Sequence, residues 1–219
     1  MTDQYESGEN PLGQIFSGRN VPLFVVVLFI FGMVIYSQLG KLDVGPQFKR
    51  DLATTYPKHF YEGYYEQGGK NGAAIITIYS NGEGKVRLEA TMPNSTAVST
   101  TLLDFINEKR YFLHEQQKTY IESHMSNQGM AGFDEEMFKC AGAKSLGPAT
   151  LFGIKCHGYE SHLPADPSTP LESWFTDEGY LVYSKGGDTE IKMTKLIKHS
   201  PKAQLFEIPN GYKKSSSLF

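Results

Sequence analysis

Six histidines (His59, His114, His124, His157, His162 and His199) and two cysteines (Cys140 and Cys156) are the side chains best suited to metal or nucleophilic chemistry. Cys140, Cys156, His157 and His162 can be drawn as a zinc site. The paired C-x₂₋₄-C spacing that usually builds one is absent, and no metal is expected. Glu122-Ser123-His124 is not the helical H-E-x-x-H of a zinc hydrolase; on a strand its two end residues share one face, read as solvated. Neither a G-x-S-x-G elbow nor a Cys-His-Asn arrangement is present. Asp134, Glu135 and Glu136 are adjacent carboxylates, but one helical turn points them apart. They read as a solvated face rather than an acid–base pair. Gly68-Gly69-Lys70-Asn71-Gly72 lacks the spacing and the following helix of a phosphate loop. Asn94-Ser95-Thr96 fits the N-x-[ST] glycosylation pattern in a polar stretch. No catalytic residues and no cofactor are expected.

The elements that must carry these residues begin with one apolar run. Between Arg19 and Lys41 the chain holds 21 residues without a charge, 14 of them Val, Leu, Ile, Phe or Met. A helix rising about 1.5 Å per residue needs roughly 20 such residues to cross a ~30 Å hydrocarbon core. Only a helix satisfies its own backbone there. The expectation is a single-pass transmembrane helix over 21–40, with Val21, Phe24, Leu28, Phe31 and Ile35 as anchoring side chains. A buried core helix would be shorter and would keep a polar stripe. A cleaved signal peptide would have a basic start, and residues 1–20 carry Asp3, Glu6 and Glu9 against Arg19 alone. No cysteine near the run can accept a lipid. Flanking charges (Arg19 before; Lys41, Lys49 and Arg50 after) argue for the large domain inside, although long domains cross largely regardless of charge.

The formal net charge of −3 gives no electrostatic footprint for nucleic acid. After a linker over 41–57, with a short amphipathic helix from Phe48 to Tyr56 closed by Pro57, the apolar period becomes two. Strands are expected at Phe60–Glu66, Ala73–Tyr79, Lys85–Met92, Thr100–Asn107, Arg110–Glu115 and Thr119–Ser123. A helical patch follows at Phe133–Phe138, then strands at Ala149–His162, Glu172–Thr176, Tyr180–Ser184 and Glu190–His199. Asn81-Gly82 and Asp177-Glu178-Gly179 are the clearest hairpin turns. Successive neighbouring strands predict one large antiparallel sheet. Two thiols are compatible with a reduced pair, half a metal site or a disulfide. In a domain carried across a membrane the even count favours a Cys140–Cys156 disulfide. It would close a 17-residue loop, worth about 3 kcal/mol on the chain-entropy model.

Three phrases in order carry a family resemblance: Leu146-Gly147 through Gly153-Ile154-Lys155-Cys156-His157-Gly158-Tyr159; Trp174-Phe175-Thr176-Asp177-Glu178-Gly179-Tyr180-Leu181; and the closing Leu205-Phe206-Glu207-Ile208-Pro209-Asn210-Gly211-Tyr212. With the upstream strands, residues 58–213 resemble bacterial extracytoplasmic domains of unknown function related to the lipoprotein carriers LolA and LolB. The resemblance implies an α+β, mainly β fold: an antiparallel sheet curled into an incomplete barrel around an apolar cavity, with one or two short helices at its opening. It also implies an inner-membrane location with the domain in the periplasm or outside, and this outweighs the flanking charges. A polar tail would occupy 214–219.

These readings converge on a non-enzymatic accessory or scaffold subunit of a membrane assembly, with the membrane and other membrane proteins as partners. The alternative is a binder of lipid or lipoprotein acyl chains in a cavity lined by Ile76, Ile78, Leu88, Leu103, Phe105, Tyr111 and Trp174. An apolar cavity of ~300–1,000 Å³ favours the second reading, and a filled interior the first.

Overall fold

The computed structural model describes residues 56–69, 73–92, 97–125, 135–140, 142–163 and 166–215. The expected tail over 1–20, the span over 21–40 and the linker up to residue 55 lie outside the described residues. Among the described residues, no helix is long and apolar enough to cross a membrane.

The fold is mostly β: one large, curled, open sheet with almost no helix. The first meander is β1 (Phe60–Gly69), β2 (Ala74–Asn81), β3 (Lys85–Thr91), β4 (Val98–Asp104), β5 (Lys109–His114) and β6 (Thr119–His124). A short helix, α1 (Glu135–Cys140), precedes the second meander of β7 (Lys144–Leu151), β8 (Ile154–Leu163), β9 (Asp166–Phe175), β10 (Leu181–Gly186) and β11 (Thr189–Ile197). A 3₁₀ turn (Ala203–Phe206) and β12 (Lys213–Lys214) finish the described chain. The spatial order is β12-β6-β5-β4-β3-β2-β1-β11-β10-β9-β8-β7. Every pairing is antiparallel except that of β12 with β6. The meanders join where β1 pairs with β11, so the first long strand is held by the last.

Strict alternation explains the core. On β1 the buried positions are Tyr61, Gly63, Tyr65 and Gln67. The register sets Ile78 beside Gly63 and Ile76 beside Tyr65; Leu88 and Ala90 follow on β3, and Val86 of β3 faces Leu103 on β4. This inner face is one apolar cluster with Phe105, Phe138, Phe175, Leu181 and Val182. Burying side chains of this size stabilises by roughly 1.5–3 kcal/mol each relative to leaving them exposed. Gly63 is required by its neighbour: a Cβ there would lie 2.8 Å from the Tyr65 ring, which is wholly buried.

The outer face of the first meander is covered by the end of the chain. The Arg87 guanidinium donates to the Leu205 carbonyl at 3.2 Å, and Phe206 is buried. The Lys213 amide donates to the Lys118 carbonyl, and the Ser215 amide to that of Tyr120. The closing Leu205–Tyr212 phrase is therefore a strap across the sheet, and β12 reaches Lys214, the first residue expected in the polar tail.

Three expectations are corrected. The single strand expected over Ala149–His162 is two strands folded at Phe152-Gly153, where both residues take positive φ (52° and 80°). A phenylalanine in the left-handed region is uncommon, so the turn carries no ordinary signal. Strand β9 starts well before Glu172, despite Pro167 and Pro170. Pro170 pairs with His162 of β8, while β10 reaches only as far as Leu171, so the missing N–H of Pro170 breaks no bond on that side. Finally, no disulfide forms: Cys156 is a free, buried thiol whose Sγ donates to the Ala149 carbonyl at 3.6 Å. An even number of cysteines does not bring thiols together, and this one is committed to the apolar core cluster.

Candidate functional site

The densest polar constellation lies where α1 meets β8. Pairing of His157 with Phe175 and of Tyr159 with Ser173 sets His157 and Tyr159 two residues apart on the inner face. Helix α1 lays Phe138 over that face, 5.6 Å ring-to-ring from Phe175 and 6.2 Å from Tyr159. Glu135, in the first turn, enters beside it. The sequence reading has Glu135 solvated, yet it is only 8% exposed, because the helix is held by its apolar Phe138 and the turn around it faces inward.

Oε1 of Glu135 lies 2.6 Å from His157 Nε2, accepts from the Tyr159 hydroxyl at 3.2 Å and pairs with Lys139 Nζ at 3.1 Å. Nδ1 of His157 is 3.7 Å from Asp177 Oδ1 at the β9–β10 turn. Burial pushes the Tyr159 phenol above its ordinary range, and the Glu135 charge adds to the effect. One imidazole thus stands between two carboxylates that belong to different elements. Such a relay needs a nucleophile or a substrate to act on, and the neighbouring Cys156 thiol is instead buried and bonded to the Ala149 carbonyl. Its burial also raises its pKa, which disfavours the reactive thiolate. The arrangement clasps α1 to the rim of the sheet. Among the described residues, no group of three or more His, Cys, Asp or Glu side chains is placed to hold a metal ion.

The expected cavity lining divides. Ile76, Ile78, Leu88, Leu103 and Phe105 come together on the inner face. Tyr111 pairs with Leu102 on the outer face and lines a groove of about 220 Å³ with Phe206 and Ile208 under the strap. Trp174 also faces out, its ring lying over Gly158, where a Cβ would come within 2.8 Å of it. The inner-face members are packed: Ile78, Leu103 and Phe105 are each 2% exposed or less. Sequence reasoning missed the joint role of Glu135, Tyr159 and Asp177. The available signal was the spacing of His157 and Tyr159 on one strand face, and it names no partner.

No protein-family model matches the chain, and no curated protein sequence does either. Solved structures do resemble it. An uncharacterized conserved protein from Thermus thermophilus superposes with a TM-score of 0.53 at 12% identity, over 82% of this chain and 98% of that one. This likeness shows a shared fold. A Pseudomonas aeruginosa MucA/MucB complex gives a TM-score of 0.44 at 13% identity, over 72% of this chain and 58% of that one. The LolA superfamily protein NE2245 from Nitrosomonas europaea gives 0.37 at 7% identity, over 74% and 96%.

Proposed function

We propose that this chain is a non-enzymatic accessory or scaffold subunit of a membrane protein assembly. It hangs from the inner membrane by the span over 21–40, with the β domain on the periplasmic side. The observation that carries the reading is the packed inner face: Tyr65, Ile78, Phe105 and Phe175 are 0–1% exposed. A sheet whose inner side chains are spent on its own stability offers a partner its outer face and its turns. The apolar run supplies the tether, which raises the domain's effective concentration at the membrane surface.

The test is mild-detergent purification of the intact chain, with mass spectrometry of the proteins and lipids that travel with it. A fixed set of membrane proteins at constant stoichiometry is expected. Release of the chain from membranes by alkaline carbonate without detergent would overturn the anchor, and purification alone at full yield would overturn the accessory role. A C-terminal phosphatase fusion should be active and a fluorescent-protein fusion through the same export route dark; the reverse pattern places the domain inside.

A further inference from the structure

Three elements meet at the His157 imidazole, and each brings polar groups. From α1, Glu135 Oε1 lies 2.6 Å from Nε2; from the β9–β10 turn, Asp177 Oδ1 lies 3.7 Å from Nδ1. On β8 itself the Tyr159 ring stands edge-on at 5.6 Å, its hydroxyl donating to Glu135. Lys139, on the next turn of α1, is spent on Glu135 and Glu136 at 3.1 Å each. Glu178, beside Asp177, is taken by Lys198 at 2.7 Å. The second Glu135 oxygen is closed in by the same turn, since a Cβ on Gly179 would lie 3.0 Å from Oε2.

A neutral imidazole has one N–H, so it donates to one of these carboxylates and turns a lone pair toward the other. Only the imidazolium donates to both. The two contacts are unequal. The Glu135 side chain is 10% exposed and at hydrogen-bond distance, where a charge-assisted bond is strong. That of Asp177 is 92% exposed, where solvent screening leaves little. A helix of six residues is too short to hold itself. It is held by Phe138, packed against Phe175 and Tyr159, and by this polar clasp.

We propose that a proton on His157 fastens α1 to the rim of the sheet and that its loss lets the helix open. The closed form takes the proton in preference to the open one, because Glu135 faces the imidazole only when α1 is docked. The added stability of the closed form is therefore present at acid pH. It is lost as pH rises through the range where imidazoles ordinarily give up their proton, around 6.5. Opening bares the rings of Phe138, Phe175 and Tyr159 at the rim. The inference goes beyond the accessory role and needs no protein partner.

The experiment is hydrogen exchange of the full chain in lipid nanodiscs, read by mass spectrometry, with each rate divided by the intrinsic chemical rate at that pH. The series runs from about pH 5.5, above the ordinary carboxylate range, to about 7.5. Normalised opening of residues 135–140 should rise about three- to tenfold across it, while β2–β5 stay level. His157→Gln, which keeps a donor but takes no proton, should abolish the rise. Glu135→Gln, which keeps an acceptor without its charge, should flatten it by a separate route and serves where the first variant fails to fold. Asp177→Asn should keep most of it. Opening of residues 135–140 that ignores pH, a slope of opposite sign, or a slope unchanged in the glutamine variants would each overturn the proposal. A parallel rise across β2–β5 would do so too, because the whole sheet would then be loosening. Whether other membrane proteins co-purify has no bearing on this readout, so the two readings fail separately.

Discussion

The two meanders meet at one seam but hold their shape differently. From β1 through β6 every antiparallel pair runs in unbroken register. From β7 through β10 every pair carries a register shift: Ser145/Gly147, His162/Leu163 and Leu181/Tyr183. The regular half is closed by apolar alternation within and a backbone strap without, fixed at Arg87 and Leu205. The irregular half is closed by a helix, a histidine hydrogen-bonded to a carboxylate and a tryptophan lying on a glycine. Bulges locally re-aim side chains and end regular pairing. That is why the polar clasp lies in the second half. Regularity serves the core, and irregularity creates the places where chemistry can gather.

The contrast can be tested from its strongest point. Phe175→Ala, in the irregular half, should cost about 3–5 kcal/mol, and Ile78→Ala, in the regular half, about 2–5 kcal/mol. Because β1 and β11 bind the halves together, both should shift one common urea transition. Trp174 is the only tryptophan and reports the second half, whereas far-UV circular dichroism reports the whole sheet. Coincident curves support a single cooperative unit, and separated midpoints would break the sheet into two.

Next in size are the two close approaches. Gly63→Ala and Gly158→Ala each place a methyl 2.8 Å from an aromatic ring. Tyr65 is fully buried and cannot yield, whereas Trp174 is half-buried and can swing outward. Gly63→Ala should therefore cost about 1–3 kcal/mol and Gly158→Ala less. Equal losses in chemical denaturation would mean that Trp174 is as fixed as Tyr65.

Of similar size, and specific to the clasp, Glu135→Ala leaves the Tyr159 hydroxyl and His157 Nε2 without their acceptor. It should destabilise by about 1–3 kcal/mol, with Glu135→Gln closer to the parent. Native-state hydrogen exchange should show faster opening of residues 135–140 while β2–β5 stay protected. Uniform loss of protection would show that α1 is integral to the whole fold rather than clasped to its rim.

The smallest effect is alkaline. Burial, reinforced by Glu89 and Glu62, raises the Tyr79 phenol to about 12, and burial holds Tyr65 well above its ordinary value. The folded state therefore keeps protons that the unfolded chain releases from about pH 10 upward. Stability is fully present below that point and falls as pH rises toward 12. Tyr79→Phe should flatten this decline in a pH series of melting temperatures. An unchanged slope would place the titration elsewhere.

How far these features could be read in advance follows the same division. Phe60–Glu66, Lys85–Thr91 and the Asn81-Gly82 turn announce themselves because period-two alternation and turn chemistry are local properties of the chain. The grouping of Ile76, Ile78, Leu88 and Leu103 on one face follows from the same counting. Tyr111 and Trp174 escaped it, because parity along one strand must be carried through every neighbour before a face is known. The Phe152-Gly153 turn escaped because its left-handed phenylalanine is held by its surroundings: the ring lies 6.0 Å from Tyr183, with Lys192 Nζ 4.1 Å from its centre. Cys140 and Cys156 suggested a bond, yet Cys156 is a free thiol: an even count says nothing of which thiols meet.

The amino-acid sequence alone determined the elements whose information is short-range: alternating strands, tight turns, and an apolar run whose length and lack of charge mark it out. Only the tertiary structure decided that β1 and β11 share a seam, that the last residues strap the outer face, and that Glu135 is buried against His157. The physical reason is range. Backbone preference and hydrophobic period act over a few residues, whereas the meeting of side chains 22 positions apart, as with Glu135 and His157, depends on sheet order, on bulges and on the collective burial that selects them.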